Sequence, residues 1–424
     1  MWEAATQSTS YYNKLASHGL APRRLRSLVD LESVPLLTKQ DVRQLRSELF
    51  RAGEPPTAYR VVTTGGTTGE PLELRVSHTA SASEWALMLH AWKRAGFEST
   101  SSRAVLRGVP VRGRHSGRRA EFDGLNRALI LSGFDLRPDD MDLYLRLMKR
   151  HRVDFLHAYP STTYVLAQHI LATGATAPDI RGVLLGSETI HDWQTKTISS
   201  AFGAPVFSWY GHTEKCVFAA ECEAGQGYHP SPLYGYVELV DDSGDVIHEP
   251  GVRGVIVGTS FINLSTALVR YVTDDEAEWQ SEPCPCGRAG WRLVNVVGHR
   301  GQEMLVGKNG APVSVTTLHG IHDKAFAHVL KYQFRQCHPG TADFLYVKSP
   351  TFTTDHERVL RDVLTSRLSG TIDLRIVSVS DIAPTASGKH RFVDQRIPGV
   401  GDLGELRVGE AGNILANGDS ERVQ

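Results

Sequence analysis

The sequence predicts an α/β protein: a large N-terminal domain of layered α/β sheets with a β-rich subdomain, then a small, mobile C-terminal α+β domain. Three observations carry this. Between Met141 and Tyr210, short apolar runs alternate with helix-period segments, the pattern of parallel strands joined by helices. Between Tyr234 and Val297 the composition turns to strands and tight turns. Beyond Val297 helix and strand patterns alternate again in a compact stretch. A chain of 424 residues exceeds what one core usually serves, so two domains are expected, 1–298 and 299–397, with a Gly-rich flexible tail over 398–424.

Composition narrows the class. A net charge of −1 argues against nucleic acid or an anionic membrane as the main partner. The opening Met1–Thr6 has neither a basic nor an apolar run, so no export signal is expected, and no apolar run approaches a membrane span. Five cysteines point to reduced thiols and a cytoplasmic protein rather than a disulfide framework.

In order, residues up to Phe50 read as short helices, with Thr38-Lys39-Gln40-Asp41 as a helix start. The stretch Thr63-Thr64-Gly65-Gly66-Thr67-Thr68-Gly69-Glu70-Pro71 then separates two strand patterns. Its glycines allow close backbone approach and its N–H groups can form an anion nest, which suits polyphosphate; a plain hairpin loop is the alternative. It is neither a Walker A loop nor a dinucleotide fingerprint. Trp85, Leu89 and Trp92 share a helical face and read as core. Arg103 to Arg119 reads as a solvated, arginine-rich loop, with an anion-binding loop as the alternative.

Strands are expected at Val153–Tyr159, Arg181–Gly186 and Ala204–Tyr210, with helices over Met141–His151 and Thr163–Leu171. In open α/β sheets ligands bind beyond the carboxyl ends of the strands. Those ends carry Gly186-Ser187-Glu188 and Tyr210-Gly211-His212-Thr213-Glu214. Further on, helices are expected at His322–Leu330 and His356–Leu368, with strands at Phe344–Val347 and Ile372–Val379. Cys222, His229, Cys284 and Cys286 would complete a closed four-ligand zinc site, structural rather than catalytic; unligated thiols are the alternative, and Cys216 and Cys337 read as such.

These motifs, in this order, resemble the adenylate-forming superfamily of acyl-CoA ligases, in particular the phenylacetate–CoA ligase-like branch with its capsular-polysaccharide relatives. The resemblance spans roughly His18 to Phe392. It implies that Thr64, Gly65, Gly66, Thr67, Thr68 and Gly69 lie over the ATP phosphates and that Gly186, Ser187, Glu188, Gly211 and His212 border the adenine. By the same match Tyr210 packs on the base, Thr213 meets the α-phosphate and Glu214 holds Mg²⁺. In Arg270-Tyr271-Val272-Thr273-Asp274-Asp275, Asp275 takes the ribose, with Asp274 where the family has Gly. Arg300, in Gly298-His299-Arg300-Gly301-Gln302-Glu303, is the counterpart of the ribose/phosphate arginine at the hinge. Lys389, in Pro384-Thr385-Ala386-Ser387-Gly388-Lys389, bridges carboxylate and α-phosphate.

The resemblance implies an enzyme that uses ATP and Mg²⁺ to activate a small carboxylic acid as its acyl-adenylate, releasing pyrophosphate. A thiol, coenzyme A first, would then accept the acyl group. An amine or a carrier protein is the alternative acceptor, and a nucleotide-binding scaffold without turnover is the rival of another class. His157, Tyr159 and Trp209 are expected to line the acyl pocket, favouring an aryl or compact acid. A homodimer is compatible with the sequence.

Overall fold

A computed structural model of the chain describes residues 1–64, 72–298 and 304–397, with short gaps at 110, 113–117, 134–135, 187, 189, 191, 309, 316–323, 327, 350, 369 and 384–392. Four helices come first: α1 (Trp2–Ser8), α2 (Ser10–Ser17), α3 (Leu28–Glu32) and α4 (Lys39–Leu45). β1 (Tyr59–Thr64), β2 (Leu72–Ser77) and α5 (His78–Trp92) follow, then β3 (Arg103–Arg107), β4 (Ala120–Asp123), β5 (Ala128–Ser132) and α6 (Pro138–Arg150). The alternating region supplies β6 (Phe155–Ala158), α7 (Pro160–Thr173), β7 (Gly182–Gly186), α8 (Asp192–Phe202) and β8 (Val206–Gly211). The strand-rich region supplies β9 (Phe218–Glu221), β10 (Tyr228–Pro230), β11 (Gly235–Val240), β12 (Arg253–Ser260), β13 (Tyr271–Gln280) and β14 (Arg292–Val297). Last come β15 (Met304–Val306), β16 (Pro312–Ser314), β17 (Val329–His338), β18 (Thr341–Lys348), α9 (Thr354–Leu368), β19 (Asp373–Ser378) and β20 (Val393–Gln395).

The chain divides into two compact units. One comprises Met1–Thr64, Leu72–Glu98 and Phe207–His299; the other comprises Gly65–Pro71, Ser99–Val206 and Arg300–Gln424. In the first, antiparallel strands run in the order β11-β12-β13-β14-β10-β9-β8. The N-terminal helices contribute Trp2, Tyr12, Leu31 and Val42 to the same core as Leu239, Ile256 and Tyr271. β1 and β2 form an antiparallel hairpin whose loop lies outside the described residues. α4 opens on a capping box: Asp41 N–H donates to Thr38 Oγ1 (3.2 Å) and Thr38 N–H to Asp41 Oδ2 (2.8 Å). Thr38→Ala is expected to lower stability by about 1 kcal/mol, read as a lower urea midpoint at unchanged slope.

In the second unit, β7-β6-β3-β5 are parallel, and β4 adds an antiparallel edge. All residues of β6 and β7 are buried, as expected of parallel strands covered on both faces. Residues from Leu305 to Val393 gather a core of their own around Phe334, Phe344, Leu360 and Leu364, under the mixed sheet β19-β18-β17-β20.

Two expectations fail. Arg103–Arg107 is not solvated loop but β3, buried through Ala104, Val105 and Leu106 between two parallel neighbours. The helix expected over His322–Leu330 is, among the described residues, only the 3₁₀ turn Lys324–Phe326, and Val329–Leu330 begin the ten-residue β17. Spaced apolar residues on a short segment fit either period, and pairing with β18 and β20 decides for the strand. The stripe on α5 is partly right: Trp92 is buried, whereas Trp85 is 38% exposed and meets it edge-on.

Candidate active site and metal centre

Glu214 follows the carboxyl end of β8 and is buried. Its two oxygens are separately engaged: Tyr271 O–H donates to Oε1 (2.9 Å), and His212 Nδ1 lies 3.1 Å from Oε2. Burial works against ionisation. The His212 hydrogen bond and charge, with the Lys39 ammonium, outweigh it and hold the carboxyl well below the ordinary range. Each oxygen keeps a further lone pair for a cation. His212 Nε2 is buried with no hydrogen-bond partner among the described residues. Such an orphan is costly unless a ligand satisfies it. A Mg²⁺–nucleotide therefore fits this corner.

Beside it, Tyr210 O–H donates to Asp275 Oδ2 (2.8 Å), and burial with the Asp275 charge pushes the phenol up. Asp274 has left-handed backbone (φ 63°), and its Oδ2 accepts from Lys39 Nζ at 2.7 Å. Arg270 is buried and held by Glu238 (Nη2–Oε1 3.1 Å) and the carbonyls of Glu32 and Val34, so its role is to fix the turn into β13. The segment after Glu214 lies flush on the sheet because Gly235 leaves room: a Cβ there would meet the Cys216 carbonyl oxygen at 2.2 Å.

In the second unit, Glu188 follows β7 and directs its carboxylate to the first turn of α7, accepting from Ser161 N–H and Oγ (both 2.9 Å). His157 on β6 is buried, with Nε2 at 2.7 Å from Arg107 Nη1. A guanidinium can only donate, so this nitrogen accepts and the proton sits on Nδ1. Burial, then the charges of Arg107 and Arg103, push the imidazole well down, and it stays neutral. The Arg107 guanidinium lies over the Tyr159 ring at 4.5 Å. His157 and Tyr159 thus share one cluster. In the first unit, Trp209 packs against Trp92 at 5.7 Å.

The four metal-ligand candidates converge. Cys222 directly follows β9, His229 lies in β10, and Cys284 and Cys286 sit on the turn between β13 and β14. All four donor atoms lie within 4.8 Å of one another. Cys222 Sγ is 3.5 Å from Cys284 Sγ, and Cys286 Sγ is 3.5 Å from His229 Nε2. Burial and the Arg94 and Arg288 charges push His229 down to about 4, so it offers a neutral imidazole. Burial opposes the Cys286 thiolate, but hydrogen bonds from Arg288 bring it to about 7. This donor set can hold a metal ion. Cys216 is buried and Cys337 exposed, both free thiols.

Among the expected site residues, Tyr210, Gly211, His212, Thr213, Glu214 and Asp275 come together in one unit. Gly65, Gly66, Thr67, Thr68, Gly69, Ser187, Arg300 and Lys389 lie outside the described residues, as does the Thr64 side chain. Tyr271 and Lys39 escaped the sequence reading as site residues. The only signal for either was position, Tyr271 inside the Arg270–Asp275 motif and Lys39 at a helix start.

The sequence profile of the CapK C-terminal domain family matches residues 305–396. Phenylacetate-coenzyme A ligase of Thermus thermophilus is 27% identical over 379 residues, covering 83% of this chain and 80% of that protein. Among solved structures, 2-hydroxyisobutyryl-CoA ligase with 2-HIB-AMP and CoA in the thioesterification state superposes with a TM-score of 0.58 at 18% identity, over 97% of this chain and 89% of that one. An open conformation of the same ligase gives 0.56 at 17% identity, over 92% and 88%. The fold is that of these ligases, and the chain is similar in sequence to a phenylacetate–coenzyme A ligase over most of its length.

Proposed function

We propose that the protein is an ATP- and Mg²⁺-dependent acid–thiol ligase. A carboxylate oxygen attacks the α-phosphorus of ATP, giving acyl-AMP and pyrophosphate. The coenzyme A thiol then attacks the acyl carbon, AMP leaves, and the thiol proton is released. The observation that carries this reading is the buried, ionised Glu214 beside the Tyr210–Asp275 pair. A fixed carboxylate suits the Mg²⁺ that accompanies polyphosphate, and a second carboxylate, Asp275, suits ribose hydroxyls. The name of the Thermus relative and the CoA and acyl-adenylate bound to the solved ligase support the same assignment.

Within it, the Thr64–Gly69 loop takes the β- and γ-phosphates, Thr213 the α-phosphate, Arg300 the ribose or phosphate, and Lys389 the reacting carboxylate. Gly186, Ser187, Glu188, Gly211 and His212 border the adenine. His157, Tyr159 and Trp209 are the residues we assign to contact with the acid, and their aromatic character favours an aryl or compact acid. Residues 299–397 act as the mobile C-terminal domain, rotating between the two half-reactions. Zinc occupies Cys222, His229, Cys284 and Cys286 as a structural ion. No helix among the described residues is long and apolar enough to cross a membrane, and the reduced thiols suit the cytoplasm.

The test is ATP–pyrophosphate exchange across aryl, short-chain and amino acids, with product analysis with and without coenzyme A. Acid-stimulated exchange and a CoA thioester are expected. An amide formed without CoA would move the protein to the amide ligases. ATP binding with no exchange for any acid would leave a nucleotide-binding scaffold.

A further inference from the structure

Asp274 stands where the backbone favours glycine. At φ 63° a Cβ crowds the adjacent carbonyl, although Asp tolerates this region better than most residues. The turn matters because Asp275 follows directly. On one side Asp275 N–H donates to Thr273 Oγ1 (3.1 Å), and Thr273 Oγ1 itself donates to the Ile256 carbonyl (2.8 Å). On the other, the Asp275 carboxylate accepts from Tyr210.

Lys39 reaches this turn by construction. Leu37 N–H donates to the Arg270 carbonyl and Val272 N–H to the Leu37 carbonyl, both 2.9 Å, pinning the segment alongside β13. Thr38 then caps α4, and Lys39, its first residue, is only 16% exposed at the side chain with Nζ on Asp274 Oδ2 at 2.7 Å. A flexible lysine held at both its backbone and its ammonium has lost most of its freedom, and the contact spans 235 residues of sequence from Lys39 to Asp274 (274 − 39).

We propose that Lys39 is a positioning residue of the nucleotide site, clamping Asp274 in its left-handed turn so that Asp275 stays on Tyr210 and presents its carboxylate to the ligand. The inference rests on the adenylation reading, in which that ligand is the ribose of ATP. Lys39 acts through Asp274, not on the phosphates.

A double-mutant cycle on the full chain tests this, with Lys39→Met, Asp274→Gly and the pair. It reads MgATP affinity by calorimetry, KM and kcat of pyrophosphate exchange, and the thermal midpoint as a folding control. Lys39→Met should weaken ATP about 3–10-fold, mostly in KM, and Lys39→Arg should restore most of the loss. In the Asp274→Gly background, where the turn is native to glycine, Lys39→Met should change affinity by less than about twofold. Unchanged affinity in Lys39→Met would overturn the proposal. So would an equal loss in both backgrounds, which would make the charge of Lys39 on Glu214 or on phosphate its whole contribution, with nothing passing through Asp274. Wild-type protein that binds no ATP at all would instead sink the adenylation reading, and the clamp with it.

Discussion

Glu214→Gln is expected to lower pyrophosphate exchange by about 10²–10³-fold, the scale of removing one group that stabilises developing charge. Glutamine keeps the volume, and its carbonyl oxygen can still accept from Tyr271, so the fold and thermal midpoint should hold. On the proposed function, what is lost is the negative charge that would share Mg²⁺ with the polyphosphate. The defect should therefore appear as a raised Mg²⁺ requirement together with a fall in kcat. Because the wild-type carboxyl is held well below its ordinary range, its charge is complete at neutral pH and persists until pH falls well under about 4. An acid limb of activity between about pH 5 and 7 thus has another source. Lys389→Ala should produce a comparable loss with a different signature. ATP binding and the Mg²⁺ requirement should stay near wild type, since a bridging ammonium acts where charge builds on phosphorus and the leaving pyrophosphate. Full exchange in either variant would remove that residue from its assigned role.

The second large effect concerns the Cys/His cluster. Protein purified without chelator should carry about one equivalent of zinc, and Cys284→Ser should carry almost none. A tetrahedral ion with Zn–S of about 2.3 Å sets sulfur atoms roughly 3.8 Å apart, close to the 3.5 Å between Cys222 and Cys284. The ion would tie the β9–β10 hairpin to the β13–β14 turn. Its loss should cost several kcal/mol, less than the roughly 10–16 kcal/mol that zinc supplies to small zinc-dependent domains. The reason is that β10 already pairs with β9 and β14 through backbone hydrogen bonds. Thermal midpoint and metal content should fall together. Ligation needs neutral His229 and thiolates, so acidification should release the metal and lower stability in the same step. A metal content below about a tenth of an equivalent, with an unchanged midpoint in Cys284→Ser, would leave these as plain thiols.

Much was legible before any coordinate. The α/β alternation marked β6 and β7 because buried parallel strands are short apolar runs. Thr38 and Asp41 declared the start of α4 because a capping box is a local contract between residues three apart. Tyr210, Glu214 and Asp275 stood in motifs that could be picked out along the chain, and the structure brings them into one unit. Other features had no local signature. Val329 and Leu330, the start of β17, looked like the end of a helix because apolar spacing over a few residues fits two periods, and only the partners β18 and β20 select one. β3 looked like solvated loop because its arginines flank a buried centre. Tyr271 on Glu214, Arg107 on His157 and Lys39 on Asp274 are side-chain contacts across distant segments. The sequence by itself determined which residue types and local turns were present. Tertiary structure alone decided which charge met which, because hydrogen bonds and ion pairs depend on separation in space and not along the chain.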